Sequence, residues 1–167
     1  WDSDAWKDLN YVRKYTEDYC KTTSQINFYC GINCRILRYG ETLLSYAECL
    51  ANTGDLGKAA EYVNEVRERA NMPKLADSTN PDIRNCTASL EAFMDNLDIE
   101  RAKECCFEYD RFFDLRRFGL GTKDKFTDKV KARSVKHKNN FTSGKEWMPI
   151  PRSEVDNNPN LTQNEGF

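Results

Sequence analysis

Histidine is almost missing from this chain: among 167 residues only His137 carries an imidazole. Ser-His-Asp and Cys-His nucleophile schemes would both have to use that one group, set in a lysine-rich stretch. A zinc set is missing as well, because Cys30-x3-Cys34 has no second cysteine pair to complete it. The 8 glycines form no phosphate-cradling loop, and Gly119-Leu-Gly121 reads as a helix terminator. No window approaches the ~18 consecutive apolar residues that cross a bilayer. Neither charge sign is in surplus, with 25 Lys+Arg against 27 Asp+Glu, so the basic balance of a nucleic-acid binder is absent. The first residues, Trp1 to Trp6, contain no Met, no basic segment and no apolar run, as expected where a targeting signal is absent or removed.

What is present is ordinary for one globular domain: 39% hydrophobic and 31% charged residues, enough for a core beneath a large polar surface. Seven cysteines cannot all pair within the chain. Cys49, Cys105 and Cys106 sit inside helical patterns and are expected to act as small buried hydrophobes. Cys20, Cys30, Cys34 and Cys86 leave one or two disulfides open.

Residues 1–35 form an aromatic and polar zone without sustained periodicity, read as loop with short extended pieces. Residues 38–71 form a helical pair. Leu43, Tyr46, Ala47 and Leu50 share one face of the first helix, and Ala59, Val63, Val66 and Ala70 share one face of the second. Gly54 stops the first helix, Asp55 caps the second, and Asn71-Met-Pro73 ends it. Leu43, Tyr46, Ala47, Leu50, Gly54, Ala59 and Val63 also fall on the offsets of a tetratricopeptide unit, in which small residues let antiparallel helices cross closely. One such unit cannot bury both faces and needs neighbours. A third helix is predicted over 89–107, with Leu90, Phe93, Met94 and Leu97 inward, and a short one over 108–119. Residues 120–146 read as a basic loop. The tail starts with Trp147-Met-Pro-Ile-Pro151, which alternates like an edge strand or polyproline stretch, and runs on through turns to Phe167.

Three groups of residues invite a chemical reading. Glu100, Glu104 and Glu108 recur every four residues along one helix face, as a glycosidase pair might, but Arg101 and Arg111 stand close in sequence. A carboxylate held by arginine has its pKa pushed down, the wrong direction for a general acid. The favoured reading is therefore an ion network that pins helices, which also takes in Asp114, Arg116 and Arg117. The lysines of 121–145 have only Phe126 and Phe141 as stacking partners, so a solvated loop is preferred to a nucleic-acid surface. In the N-terminal zone Trp1 and Trp6 are the candidate ligand-binding rings, since indoles stack on the apolar faces of sugars while neighbouring polar groups anchor hydroxyls.

Three segments together resemble one family, the SusD/RagB-like nutrient-binding proteins of the Bacteroidetes outer membrane. Arg38-Tyr-Gly-Glu-Thr-Leu-Leu-Ser-Tyr-Ala-Glu48 with Ala59 to Ala70 is similar to the family's first motif. Ile99-Glu-Arg-Ala-Lys-Glu104 through Phe107 to Gly119 resembles the second, and Met148-Pro-Ile-Pro-Arg-Ser-Glu154 with Asn158 to Asn164 the C-terminal one. Tyr109-Asp110 in place of Gly-His, Phe118 in place of Trp and Glu165 in place of Pro are local departures.

The resemblance implies a mainly α fold: a tetratricopeptide-like helical scaffold with long loops and little β. Residues 1–35, the scaffold 36–119 and the loop and tail 120–167 would all belong to one larger domain, whose missing N-terminal part covers apolar helix faces. The scaffold motif comprises Arg38, Tyr39, Glu41, Tyr46, Glu48, Glu100, Arg101, Glu104, Glu108, Arg111, Asp114, Arg116 and Arg117. The implied function is non-catalytic binding of a glycan ligand. The protein would be lipid-anchored on the outer face of the outer membrane, partnered by a SusC-like TonB-dependent transporter, and would need no metal or cofactor. The competing reading is a tetratricopeptide-type adaptor that binds proteins and no small molecule.

Overall fold

The computed structural model describes residues 14, 33, 35–118, 128, 130, 131, 144, 145 and 147–167. Trp1, Trp6, Cys20, Cys30, Cys34, His137 and most of the 120–146 segment lie outside the described residues. The described part is helical and contains no strand.

Helix α1 (Tyr39–Asn52) and helix α2 (Leu56–Arg69) are joined by three residues. Gly54 adopts φ +96, which a side chain would strain, and the Asp55 carboxylate accepts the Lys58 N–H at 3.0 Å as the cap of α2. The Tyr39 hydroxyl at the start of α1 donates to Glu65 near the end of α2 at 3.1 Å, so the helices run antiparallel. Ala47 and Ala59 are fully buried, consistent with a close crossing, and Tyr46 meets Tyr62 edge-on with centroids 4.9 Å apart. Asn71, at φ 55, takes the left-handed turn that stops α2.

After a 3-10 turn (Leu75–Asp77), a one-turn helix α3 (Pro81–Arg84) and a second 3-10 turn (Cys86–Ala88) comes helix α4, Leu90–Glu104. Ser89 caps it by accepting the Ala92 N–H at 3.2 Å. The core gathers Leu43, Leu44, Ala47 and Ala51 of α1, Ala59, Val63 and Val66 of α2, Phe93 and Leu97 of α4, and Leu75 and Cys86 between helices. Helix α4 is not amphipathic in the usual sense, because its buried side also carries Asn96, Asp98, Glu100 and Arg101.

The predicted 89–107 helix ends early, at Glu104. Its last carbonyls are taken by side chains instead of further turns: Arg38 Nη2 donates to the Glu104 carbonyl at 2.7 Å, and Lys14 Nζ donates to the carbonyls of Glu104 and Cys106. Phe107 then reverses the backbone at φ 61, and helix α5 covers Arg111–Phe118. As a result Glu108 lies beyond α4 and does not share a helix face with Glu100 and Glu104.

Three further findings concern the C-terminal third. Asp128, Val130 and Lys131 are helical within the segment read as a loop. Residues Arg152–Asn157 form helix α6 rather than turns, because no breaker intervenes until Asn158, whose extended backbone (φ −126, ψ 102) is what the following Pro159 requires. The Trp147–Pro151 stretch is not a strand. Gln163 stands in for a neighbouring strand, accepting the Ile150 N–H and donating to the Ile150 carbonyl, both at 2.8 Å. Asn164 donates to the Met148 carbonyl at 2.7 Å.

The cysteine expectations hold only in part. Cys105 and Cys86 are buried, but Cys49 and Cys106 are exposed, and all four are free thiols. Cys49 opens onto a cleft beside α1 and Cys106 lies in the turn after α4, and neither belongs to the core. Of the apolar positions expected inward, Tyr46, Leu90 and Ala70 are exposed; the last two lie at helix ends beyond the packed region, and Tyr46 leans on Tyr62.

Candidate functional site

The charged residues of the scaffold motif converge where the start of α1, the ends of α2 and α4, and α5 meet. Arg38, just before α1, is the hub. Its Nη1 donates to Glu104 Oε1 at 2.5 Å, and its Nε lies 2.8 and 3.0 Å from the two carboxylate oxygens of Glu108. Glu104 also receives Arg69 of α2, and Glu108 receives Lys14. Gly40 leaves room for this carboxylate: a Cβ there would come 2.7 Å from Glu104 Oε1 and push the side chain aside. One step deeper, buried Arg67 donates to Glu100 at 2.5 Å and to the Pro73 carbonyl at 2.7 Å.

A second set joins α4 to α5. Arg101 donates to Asp114 at 2.8 Å and to the Ser45 hydroxyl at 3.0 Å, tying α4, α5 and α1 together. Arg111 donates to Asp98 Oδ1 at 2.6 Å, and Arg117 reaches both Glu48 and Asp114. Arg116 departs from the expected network: its guanidinium carbon lies 4.0 Å from the centroid of the Trp147 ring.

Burial by itself would lower the Arg38 pKa, but its hydrogen bonds to Glu104 and Glu108 and their charges carry it above the usual arginine range. Arg117 behaves likewise through Glu48 and Asp114. Burial would raise Glu108, yet bonding to Lys14 and Arg38 holds it below the usual carboxylate range. Glu41 is raised, first by burial and then by the charge of Asp110, with Arg101 opposing.

Beside this network an open cleft of about 380 Å³ lies between α1 and α5, with Arg101 and Asp114 among its lining and Glu41, Asp110 and Phe113 around it. Cys105, Glu108 and Asp110 offer ligand atoms within 4.8 Å of one another, a spacing a metal could use. Their chemistry points elsewhere. Burial pushes the Cys105 thiol up to about 11, and Glu108 is already held by two cations, Arg38 and Lys14. The three glutamates singled out from the sequence are thus each engaged by arginine or lysine, an arrangement suited to fastening helices and unsuited to proton transfer.

Sequence reasoning missed Arg67, Asp98, Ser45 and Gln163. Arg67 was legible in hindsight, since it follows Val63 by four residues on the buried face of α2. Gln163 was not, because its partner Ile150 is identified only by the folded tail. Trp1 and Trp6 lie outside the described residues.

An α-helical hairpin, a third helix packed on it and an arginine-carboxylate network at one end together define a mainly α scaffold pinned by ion pairs. The chain belongs to the SusD family, whose profile matches residues 7–167. It is similar to SusD-like protein P2 of Formosa agariphila, 30% identical over 131 residues, which is 77% of this chain and 24% of that protein. It is also similar to the starch-binding protein SusD of Bacteroides thetaiotaomicron, 32% identical over 136 residues, 79% of this chain and 21% of that protein. SusD-like protein P38 of Formosa agariphila is 35% identical over 85 residues, 51% of this chain and 17% of that protein. The chain therefore spans less than a quarter of the length of these relatives. No solved structure gives a significant match. Among the described residues no helix is long and apolar enough to cross a membrane.

Proposed function

We propose that this chain is the C-terminal part of a larger cell-surface glycan-binding protein. It binds oligosaccharides without cleaving them and hands them to a SusC-like TonB-dependent transporter in the outer membrane, where a lipid anchor holds it. The observation that carries the reading is membership of the SusD family together with similarity to a starch-binding relative over 79% of the chain. Engagement of the motif carboxylates in ion pairs supports a scaffold role for the α1–α5 region, with a tetratricopeptide-like unit at 38–71. Leu37 and Tyr109, 76% and 83% exposed, sit next in sequence to Arg38 and Glu108 and are apolar surface suited to packing against another part of the same protein.

Trp1 and Trp6 are the proposed stacking rings of the N-terminal zone. Isothermal titration of the full-length protein against a glycan panel that includes maltoheptaose tests the reading. Micromolar binding of a panel member, weakened by Trp1→Ala or Trp6→Ala, is the expected result. Absence of heat with every glycan, together with capture of a protein ligand by the α1–α2 surface, would favour the adaptor reading instead.

A further inference from the structure

The third tryptophan has a different setting from the two in the N-terminal zone. The Trp147 N–H donates to the Gly144 carbonyl at 3.4 Å, and the next carbonyl, that of Met148, is held by Asn164 at 2.7 Å. Gly144 itself has φ +96, and a Cβ there would come 2.5 Å from the Glu165 carbonyl, so the two ends of the tail pack backbone against backbone. On one face of the indole lies Arg116, 4.0 Å from the ring centroid. Arg116 belongs to α5, which Arg101 and Arg117 fasten through Asp114. Even so, Trp147 remains 44% exposed. A ring with a defined backbone, one face occupied and substantial area open is a preformed platform whose ordering cost is already met in the unbound protein. Lys145 repeats the arrangement, with its Nζ 3.7 Å from the centroid of the half-exposed Phe167 ring.

We infer that Trp147 is a glycan-stacking residue on the C-terminal tail, with Arg116 behind the ring as its positioning residue. This rests on the glycan-binding reading above and adds a site to it. The chemistry selects the ligand class. A cation on the open face is opposed by the guanidinium already on the other, so an aromatic-cage ligand such as a quaternary ammonium is disfavoured. The apolar C–H face of a pyranose suits the half-exposed ring, while the guanidinium on the opposite side fixes the ring's orientation. Single-stranded nucleic acid would also combine stacking with positive charge. The near-neutral net charge of the chain favours the sugar.

The test uses the full-length protein with maltoheptaose and the other members of the glycan panel. Trp147→Ala is expected to weaken binding roughly tenfold, with Trp147→Phe intermediate because it keeps a smaller ring. Glycan binding should change tryptophan emission in the wild type, and that change should shrink in Trp147→Phe, a readout that loss of tail packing would not mimic. Arg116→Ala should weaken binding less than Trp147→Ala. Unaltered affinity and an undiminished emission change in Trp147→Phe would overturn this inference and leave glycan binding by the protein standing. Failure of every glycan to bind would overturn both. Quenching of Trp147 by a single-stranded oligonucleotide, with none by glycans, would overturn the sugar assignment in favour of nucleic acid.

Discussion

The Arg67–Glu100 pair offers the sharpest test of what holds the scaffold together. Both side chains are buried, and Cys86, itself fully buried, is close enough to feel both charges. Glu100→Ala would leave the Arg67 guanidinium in that interior with the Pro73 carbonyl as its remaining described acceptor. Breaking one side of a buried pair costs about 3–5 kcal/mol, because the orphaned charge keeps its desolvation penalty. For a cooperative unit of about 150–250 residues that corresponds to a fall in Tm of about 6–20 °C, and to a smaller fall in a larger one. Replacing both partners with apolar residues of similar length, Arg67→Met with Glu100→Leu, removes both charges together and should recover most of the loss. The assay is thermal and urea unfolding followed by circular dichroism on Arg67→Met, Glu100→Leu and the double variant, with Glu100→Ala measured beside them. A strongly non-additive cycle is expected, and raising the salt concentration should leave the Glu100→Ala loss nearly unchanged, since a buried pair is poorly screened. A Glu100→Ala loss below about 1 kcal/mol, or one that vanishes in high salt, would show that water reaches the pair and would refute the reasoning.

Four other outcomes are expected. Glu41 has a raised folded pKa, so its ionisation works against the fold as pH rises from the unfolded carboxylate value through the folded one; Glu41→Gln should therefore raise Tm at pH 7, with the gain fading below about pH 4. Glu108 has the opposite sign: its lowered folded pKa means that its contribution is present above the unfolded value and lost as pH falls through the folded value, so Glu108→Gln should destabilise at pH 7 and converge on the wild type in acid. Among the described cysteines, Cys49 and Cys106 should react promptly with a thiol reagent at pH 8. Cys86 and Cys105, whose thiols burial pushes up, should react only on unfolding, as peptide mapping by mass spectrometry would reveal. Gln163→Ala removes two hydrogen bonds to Ile150, at about 1 kcal/mol each. Faster hydrogen exchange at the Ile150 amide, with the helical core unchanged, is the expected readout, and uniform exchange across the tail would contradict it.

The helical hairpin could be read before any coordinates because its signals are local. Ala47, Ala59 and Val63 recur at the helical period, and Gly54 and Asp55 terminate and cap by contacts within three residues. That an ion network existed was also legible, from the density of glutamate and arginine over 100–117. Its wiring was not. The expectation of three glutamates on one face failed at Glu108, since α4 stops where Arg38 and Lys14, 66 and 90 residues away from Glu104, claim its last carbonyls. Arg116 was grouped with the ion pairs, and its contact with Trp147 depends on the path of a tail that has no periodicity to read.

By itself, then, the sequence determined the helical hairpin, where it turns, the start of the helix that follows it and which family the chain belongs to, because capping, periodicity and motif spacing are properties of neighbouring residues. Only the tertiary structure decided which carboxylate meets which arginine, which cysteines are buried, and that Trp147 stands with one face backed by Arg116 and the ring still half-exposed. Those outcomes depend on side chains far apart in sequence competing for the same partners, and that competition is settled by the packing of α1, α2, α4 and α5.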